Sequence, residues 1–257
     1  MILVDFRNWD FGKSLGYLPN TQKELLQRDF EVLNKLGDFE VLELFGVDKK
    51  PIVLSDLFFE NKDNIAVSPV KNVSNFYESI DLVLETKNKE VVDYTEAADE
   101  QVYFYGASSL VVHSDSEIAL CGINDFTDES LFEEYCEDFE LTPFSFEISN
   151  DILTSDIALF TGNTLLLCLD FIKDKKTRKD LFSLLKLNHL DVILVTKEQV
   201  EKGVLNMKLV ENTLIITKQA EVLLTKQQKE QLLKNSTKVA TLPFLEKVGV
   251  KLRDVIL

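Results

Sequence analysis

Short apolar runs alternate with longer amphipathic runs along most of the chain. The apolar runs are four to seven residues long and rich in β-branched and aromatic residues, which is typical of β-strands. Three of them, LLLCL, VILV and LIIT, are continuously apolar and predict strands that are covered on both faces. The predicted strands between residues 102 and 218 are VYFYG, SLVVH, EIALCG, FSFEI, IALF, TLLLCL, DVILVT, VLNMKLV and TLIITK.

Helix-start signals recur at regular intervals. Thr21 and Glu24 form a capping-box pattern that predicts a helix to about Leu36, and Thr225 with Gln228 forms another. The five predicted starts lie at Thr21, Asn75, Thr127, Asp174 and Thr225. Successive starts are 54, 52, 47 and 51 residues apart, and each interval holds about three predicted strands and one helix.

A repeat of about fifty residues is typical of propellers and related arrays. Five such units account for residues 1–257, and no linker rich in Gly, Pro or Ser divides them. We therefore expect one α/β domain that forms a closed ring of five units, with strands around the centre and helices outside. One feature interrupts this pattern: the polar trio Thr154, Ser155 and Asp156 stands directly before the predicted strand IALF.

Composition limits the function classes. Apolar content is 45% and charged content is 28%, which is ordinary for a soluble globular protein. The formal net charge of −16 argues against binding to nucleic acids or anionic membranes, because both require a basic face. Three cysteines without metal-type spacing, no signal-peptide pattern and no apolar stretch of spanning length lead us to expect a cytoplasmic protein.

Several segments resemble a known superfamily. They are Ser109–Val111, Phe132–Glu137, Cys168–Asp174, Asn206–Met207 and Leu223–Glu230, with a weaker similarity at Pro51–Pro69. From about Gln101 onward the chain resembles the pentein, or guanidino-group-modifying, superfamily of arginine deiminases, dimethylargininases and amidinotransferases. The similarity is greatest to the branch of citrulline hydrolases and dimethylargininases. The resemblance implies a five-fold pseudo-symmetric ββαβ propeller, in agreement with the repeat.

The resemblance also implies a chemistry whose residues are replaced here. The family attacks a guanidinium or ureido carbon with a cysteine thiolate while a histidine moves protons. Thr154 stands at the place of the histidine, and a hydroxyl is not a base near neutral pH. The remaining replacements are Tyr105 for a glutamate, Phe126 for a substrate-binding arginine, and Asp254 near the place of the nucleophilic cysteine.

Other residues offer little to rebuild that activity. We expect Cys168 to be a buried hydrophobic residue and the acidic neighbours of Cys136 to raise the pKa of its thiol. Of the three cysteines, Cys121 is therefore the least easily dismissed as a residue with a chemical role. His113 is expected at an exposed hairpin turn and His189 at a helix C-terminus, so no metal site is predicted. The run from Asp128 to Glu140 predicts a helix with a solvated acidic face. It also leaves open a binding patch for a basic partner.

We therefore expect a pseudoenzyme with a structural, interaction or ligand-binding role, without a cofactor. Its partner would be a protein or a small molecule in a central pocket. The candidate pocket residues are Asp56, Glu60, Tyr105, Phe126, Thr154, Asp156 and Asn206. Asp56 and Glu60 form either a cation-holding acidic rim or a solvated surface pair. The alternative function is an active hydrolase of guanidino or ureido compounds, with Asp254 or Cys121 recruited.

Overall fold

The computed structural model describes residues 1–9, 11, 19–46, 51–232 and 236–257, which form five small sheets. The strands are β1 Ile2–Val4, β2 Glu40–Leu42, β3 Phe58–Asn61, β4 Asn64–Val67, β5 Glu90–Asp93, β6 Leu110–His113, β7 Ile118–Ile123, β8 Thr142–Glu147, β9 Ala158–Thr161, β10 Thr164–Leu167, β11 Asp191–Leu194, β12 Met207–Val210, β13 Thr213–Thr217 and β14 Ser236–Ala240.

Twelve helices are found in the described part of the chain. They are α1 Pro19–Asn34, α2 Leu54–Leu57, α3 Tyr77–Lys87, α4 Gly106–Ser109, α5 Glu129–Asp138, α6 Thr154–Ile157, α7 Lys175–Leu187, α8 Lys197–Glu201, α9 Lys218–Leu223, α10 Lys226–Leu232, α11 Pro243–Val248 and α12 Leu252–Val255. Three 3-10 turns, Val73–Phe76, Thr95–Glu100 and Leu169–Phe171, complete the regular structure of these residues.

Four of the sheets share one plan. In each, the first two strands form an antiparallel hairpin and the third strand pairs in parallel with the second, as in β3-β4-β5. A parallel pair needs a crossover connection, and α3, α5 and α7 supply it in three of the sheets, while α9 and α10 supply it in the fourth. This order is the ββαβ unit that the resemblance implies.

The fifth sheet is completed by residues from both ends of the described chain. β1 pairs in parallel with β2 across α1, as the second and third strands do in the other sheets. Ile256 forms an antiparallel bridge with Leu3, and Leu257 and Ile2 exchange backbone hydrogen bonds of 2.8 and 3.0 Å. The segment after α12 therefore takes the place of the first strand.

The helix starts are partly as predicted. Asp174 accepts a hydrogen bond from the Thr177 N–H as the N-cap of α7, and Thr225 and Gln228 form the predicted reciprocal pair before α10. Asp128, rather than Thr127, caps α5, because its carboxylate accepts from two backbone N–H groups in the first turn. Two other predicted starts were misplaced: α1 already begins at Pro19, and Asn75 lies in the 3-10 turn before α3.

Two strand predictions were wrong. Residues 102–105 of VYFYG have no strand partner, because the chain runs there into the one-turn helix α4. In VILV, Leu194 is 50% exposed, since β11 is an edge strand of its sheet and is not covered on both faces. No helix of the described residues is long and apolar enough to cross a membrane.

Candidate functional site

Four one-turn helices meet at the centre of the molecule. α12 contacts α2, α2 contacts α4, and α4 contacts α6, each directly before the first strand of its unit. A carboxylate stands two residues before the strand in three of the units, at Asp56, Asp156 and Asp254, and Ser108 holds that place in a fourth. The ring of units thus brings together side chains that lie up to about 200 residues apart in sequence.

An axial cavity of about 290 Å³ lies beside these helices, and we call it the funnel. Its walls come from β3, β6, β9 and β12 and from Leu257, so the first strand of every unit faces it. Ser55, Ser155 and Arg253 of the one-turn helices also line it. This shared lining places the first strands around the centre of the ring, as the sequence predicted.

A second cavity of about 270 Å³, the side cavity, is lined by Asp156, Asn206, Lys251 and Arg253 and by parts of α8 and α11. Asn206 is held in place because its side-chain oxygen accepts a hydrogen bond of 2.8 Å from the Leu252 N–H. Arg253 lines both cavities. The one-turn helix α12 therefore separates the two spaces and contributes to each.

The hydroxyl of Thr154 is fully used in joining neighbouring units. Thr154 is completely buried, and its Oγ1 accepts a hydrogen bond of 2.7 Å from the Gly122 N–H. The same hydroxyl donates to the Ser109 carbonyl oxygen. Both partners belong to the preceding unit, so Thr154 is a structural link between the sheets β6-β7-β8 and β9-β10-β11.

Asp156 is the most strongly paired carboxylate of the centre. It forms ion pairs with Lys251 and, at 2.5 Å, with Arg253, and its second oxygen accepts from the Leu153 N–H. Burial alone would raise the pKa of this carboxyl, but the two cations outweigh it and lower the pKa to about 2. Arg253 also donates to the Ser155 carbonyl oxygen at 2.6 Å.

Asp254 and Asp56 have the opposite electrostatics. Asp254 accepts hydrogen bonds from the Lys251 N–H at 2.7 Å and the Ser55 hydroxyl at 3.3 Å. Burial nevertheless raises its pKa above the ordinary value. Burial also raises the pKa of Asp56 to about 7, with smaller contributions from the negative charges of Asp254 and Asp156. Asp56 is therefore a carboxyl of this centre whose pKa lies near neutral pH.

The three cysteines are all buried. Cys121 lies inside β7, and its thiol donates to the Ser109 carbonyl oxygen at 3.2 Å. Burial raises the pKa of Cys121 well above its ordinary value, and burial also raises the pKa of Cys168. The pKa of Cys136 is about 12, mainly because of burial and then because of Glu133. The raised pKa of Cys136 was predicted, but burial rather than charge is its larger cause.

Tyr105 and Phe126, at positions where the resemblance implies two charged groups, contact each other. Their rings pack edge to face with centroids 5.9 Å apart, and Phe126 is 41% exposed. Burial raises the pKa of Tyr105. An aromatic pair in this position offers an apolar surface rather than a binding site for a zwitterion.

Two predictions about charged groups were wrong. Asp56 and Glu60 form neither an acidic rim nor a solvated pair, since Asp56 is at the ring centre and Glu60 is bound by Lys87 at 2.7 Å and Lys89 at 2.8 Å. His113 is not exposed at a turn. It is buried at the end of β6, within 3.2 Å of Asn163 Oδ1, and accepts from the Ser116 N–H.

His189 and the acidic run from Asp128 to Glu140 lie where the pattern placed them. His189 directly follows α7 with a positive φ of 56°, as expected at a helix C-terminus. In α5, the acidic side chains point to solvent while Phe132 and Tyr135 are buried. Within the described residues, no group of three potential ligands among His, Cys, Asp and Glu is positioned to hold a metal ion.

Sequence reasoning missed the basic residues of the centre, namely Lys208, Lys251 and Arg253. A signal for one of them was present, because three units begin with the same tripeptide type: Ser55-Asp-Leu, Ser155-Asp-Ile and Arg253-Asp-Val. An alignment of the units would have matched the three aspartates. It would also have shown that the residue before the aspartate is serine in two units and Arg253 in the third.

No curated protein sequence matches the chain significantly. Among solved structures, the N-terminal domain of ArgZ, a cyanobacterial arginine dihydrolase, was determined with substrate bound. It superposes with a TM-score of 0.74 at 12% identity, covering 99% of this chain and 95% of that one. Unliganded AgrE superposes with the same TM-score of 0.74 and the same identity of 12%. The superposition covers 99% of this chain and 38% of AgrE.

SxtG, an amidinotransferase of the saxitoxin biosynthetic pathway from Microseira wollei, gives a TM-score of 0.65 at 12% identity, covering 93% of this chain and 84% of that one. The chain spans 39% of ArgZ in its apo structure. At these identities, the structural similarity shows the fold, which is the predicted pentein fold.

The family profile for N,N dimethylarginine dimethylhydrolase, eukaryotic, matches residues 53–249, which is most of the chain. The match includes the one-turn helices α2, α4 and α6, and it ends just before α12. The chain therefore belongs to the N,N dimethylarginine dimethylhydrolase family, within the pentein superfamily.

Proposed function

We propose that this chain is a non-hydrolytic member of its family, whose ring centre serves binding and structure rather than covalent catalysis. The observation that carries the proposal is the bonding of Thr154. At the position where the resemblance implies a histidine, a buried hydroxyl is committed to the Gly122 N–H and the Ser109 carbonyl oxygen. A group fixed in this way cannot relay a proton to a leaving group.

The thiols support the same conclusion. A thiolate, and not a thiol, is the nucleophile in covalent catalysis, and it requires a lowered pKa and access to the substrate. Cys121, Cys136 and Cys168 have neither, because all three are buried and the pKa of each is raised. Asp254, near the family's cysteine position, is a weak nucleophile and is bonded to Ser55 and the Lys251 N–H.

The aromatic pair of Tyr105 and Phe126 supports a binding role of different specificity. A guanidino amino acid carries a cation and a zwitterionic end, which charged side chains would have to pair with. Here the edge-to-face contact of Tyr105 and Phe126 provides apolar surface instead. We extend the proposal to a small-molecule or protein partner at the centre of the ring.

Incubation with arginine, citrulline and methylated arginines tests the proposal. Ammonia, urea and methylamines would be measured over hours at enzyme concentrations high enough to detect single turnovers. We expect no product above that formed in buffer. Product formation that disappears in the Cys121→Ala variant would overturn the proposal, whereas formation that persists in every variant would identify a contaminating enzyme.

One observation favours the alternative, a hydrolase with a displaced site. Asp56, with a pKa near 7, lies close to the buried Asp254, and a carboxyl of this pKa is suited to general acid–base catalysis. The same assay separates this function from the first. Turnover that is retained in Cys121→Ala but lost in Asp56→Asn would establish the alternative and overturn the proposal.

A further inference from the structure

We propose that the funnel binds a small organic anion, a carboxylate on a short apolar body, through the ammonium group of Lys208. This inference does not depend on the loss of hydrolysis, because the funnel lies on the strand side of the one-turn helices. It rests on an unpaired cation, on the charges around it and on the shape of the cavity.

Lys208 is the unpaired cation. It stands on β12, the first strand of its unit, lines the funnel and is half-buried. Its ammonium group has neither an ion pair nor a hydrogen bond to any of the described residues, and burial lowers its pKa. A half-buried cation without a partner is destabilising, so an anion that pairs with it would stabilise the site.

The neighbouring charges do not supply that anion. The charged groups that act on Lys208 are Glu60 and Asp254, which are negative, and Lys87 and Arg253, which are positive. Glu60 is already shared between Lys87 and Lys89, and Arg253 is paired with Asp156. Asp254 already accepts hydrogen bonds from the Ser55 hydroxyl and the Lys251 N–H. Counted with Lys208 itself, these groups are three cationic and two anionic side chains, whereas the whole chain has a net charge of −16.

Two further donors lie at the same cavity. Ser155 and Arg253 both line the funnel, and the Ser155 Oγ and Arg253 Nε are buried with no hydrogen-bond partner among the described residues. Buried donors are usually satisfied by protein or by a ligand. Of these two groups, Arg253 Nε lies 3.8 Å from the Asp254 carboxylate, so the Ser155 hydroxyl is the one that an anion bound next to Lys208 could newly satisfy.

The residues that line the funnel indicate which kind of anion it would bind. Phe58, Leu159, Phe160 and Met207 give the funnel apolar sides, and its volume of about 290 Å³ suits only a small ligand. A hydrated inorganic ion would leave these walls without contacts. A carboxylate on a short hydrocarbon body matches both the charge and the walls, as benzoate does.

Titration with benzoate, using benzamide as the neutral isostere and inorganic phosphate as a comparison anion, tests the proposal by NMR chemical-shift mapping. We expect saturable shifts at β12 and β9 with benzoate, and about tenfold or more weaker binding with benzamide and phosphate. Equal binding of benzoate and benzamide, or no saturation at millimolar benzoate, would overturn it. Tighter binding of phosphate than of benzoate would overturn the organic ligand class.

Substitutions of Lys208 test whether its ammonium group contacts the bound benzoate. Lys208→Met keeps the length of the side chain without its charge and is expected to weaken benzoate binding about tenfold, whereas Lys208→Arg should retain most of it. Lys226→Met is the matched control, since that side chain is 92% exposed and its loss changes the net charge equally. If Lys208→Met and Lys226→Met reduce binding alike, the proposal is wrong. If Lys208→Met does not fold, the benzoate and benzamide comparison on the unaltered chain still decides.

Discussion

The two cavities beside the one-turn helices differ in how their charges are matched. At the side cavity, Asp156 forms ion pairs with Lys251 and Arg253, and Asp254 lies 3.8 Å from Arg253, so each of these charges has a partner of opposite sign. In the funnel, Lys208 has a lowered pKa and no partner among the described residues. The paired charges at the side cavity stabilise the fold, whereas the unpaired charge of Lys208 at the funnel lowers stability and favours the binding of an anion.

Asp156→Asn is expected to have the largest effect on stability. It leaves Lys251 and Arg253 without their carboxylate, and breaking a mostly buried pair in this way should lower the free energy of unfolding by about 3 kcal/mol. Chemical denaturation measures the change. The exposed Asp151→Asn is the control and should change little; equal losses in the two variants would contradict a structural role for the Asp156 pairs.

The adjacent hydroxyls of Thr154 and Ser155 should respond in opposite ways. Thr154→Val removes the acceptor for the buried Gly122 N–H, which should cost about 2 kcal/mol of unfolding free energy. Ser155→Ala removes a buried hydroxyl that finds no partner in the described structure, so stability should stay the same or rise. Denaturation of both variants checks the pair, and a larger loss for Ser155→Ala would contradict the assigned bonding.

The pH dependence of stability should reveal Asp56. Its folded pKa of about 7 is raised above the ordinary 3.8, so the folded state binds more protons than the unfolded state between these values. The free energy of unfolding therefore falls as pH rises through this window, by at most about 1.4 kcal/mol per pH unit from this group. Asp56→Asn should remove that component and stabilise the protein above pH 7.

Asp156 provides the contrast within the same titration. Its folded pKa of about 2 is below the ordinary value, so its contribution is present above pH 4 and is lost as pH falls toward 2. Stability measured from pH 3 to pH 8 in Asp56→Asn and Asp156→Asn separates the two groups. If Asp56→Asn leaves the slope between pH 4 and pH 7 unchanged, the assignment to Asp56 is wrong.

Lys208→Met should produce a smaller change than Asp156→Asn, and one of opposite sign. Removing an unpaired, half-buried cation is expected to raise the free energy of unfolding by about 1 kcal/mol in the absence of ligand. Denaturation at neutral pH measures it, with Lys226→Met as the exposed control. A clear loss of stability would show that Lys208 has a partner in the folded protein and would remove the contrast between the cavities.

The sequence predicted the repeating plan because each unit carries its own local signals. Caps at Asp174 and Thr225 and short apolar runs mark helices and strands within a few residues of their true bounds. The closure of the fifth sheet by Ile256 and Leu3 was not predictable in this way, since no local pattern records which distant segment a strand joins.

The centre was predicted less well because its geometry depends on contacts between units. The place of Thr154 could be read from the resemblance, but its two bonds depend on Gly122 and Ser109 in the preceding unit. Likewise, His113 follows an apolar run and precedes polar residues, which favoured an exposed turn. His113 is instead buried, because Asn163 of the next unit packs against it within hydrogen-bond distance.

The reactivity of the thiols in the native protein tests most directly whether the ring centre holds a nucleophile. The folded chain and the chain in denaturant would be treated with iodoacetamide near pH 8, and the labelled positions would be read by mass spectrometry. Because Cys121, Cys136 and Cys168 are buried with raised pKa values, we expect no label on the native protein and full labelling of all three in denaturant. Labelling of native Cys121 faster than the protein unfolds would contradict the account.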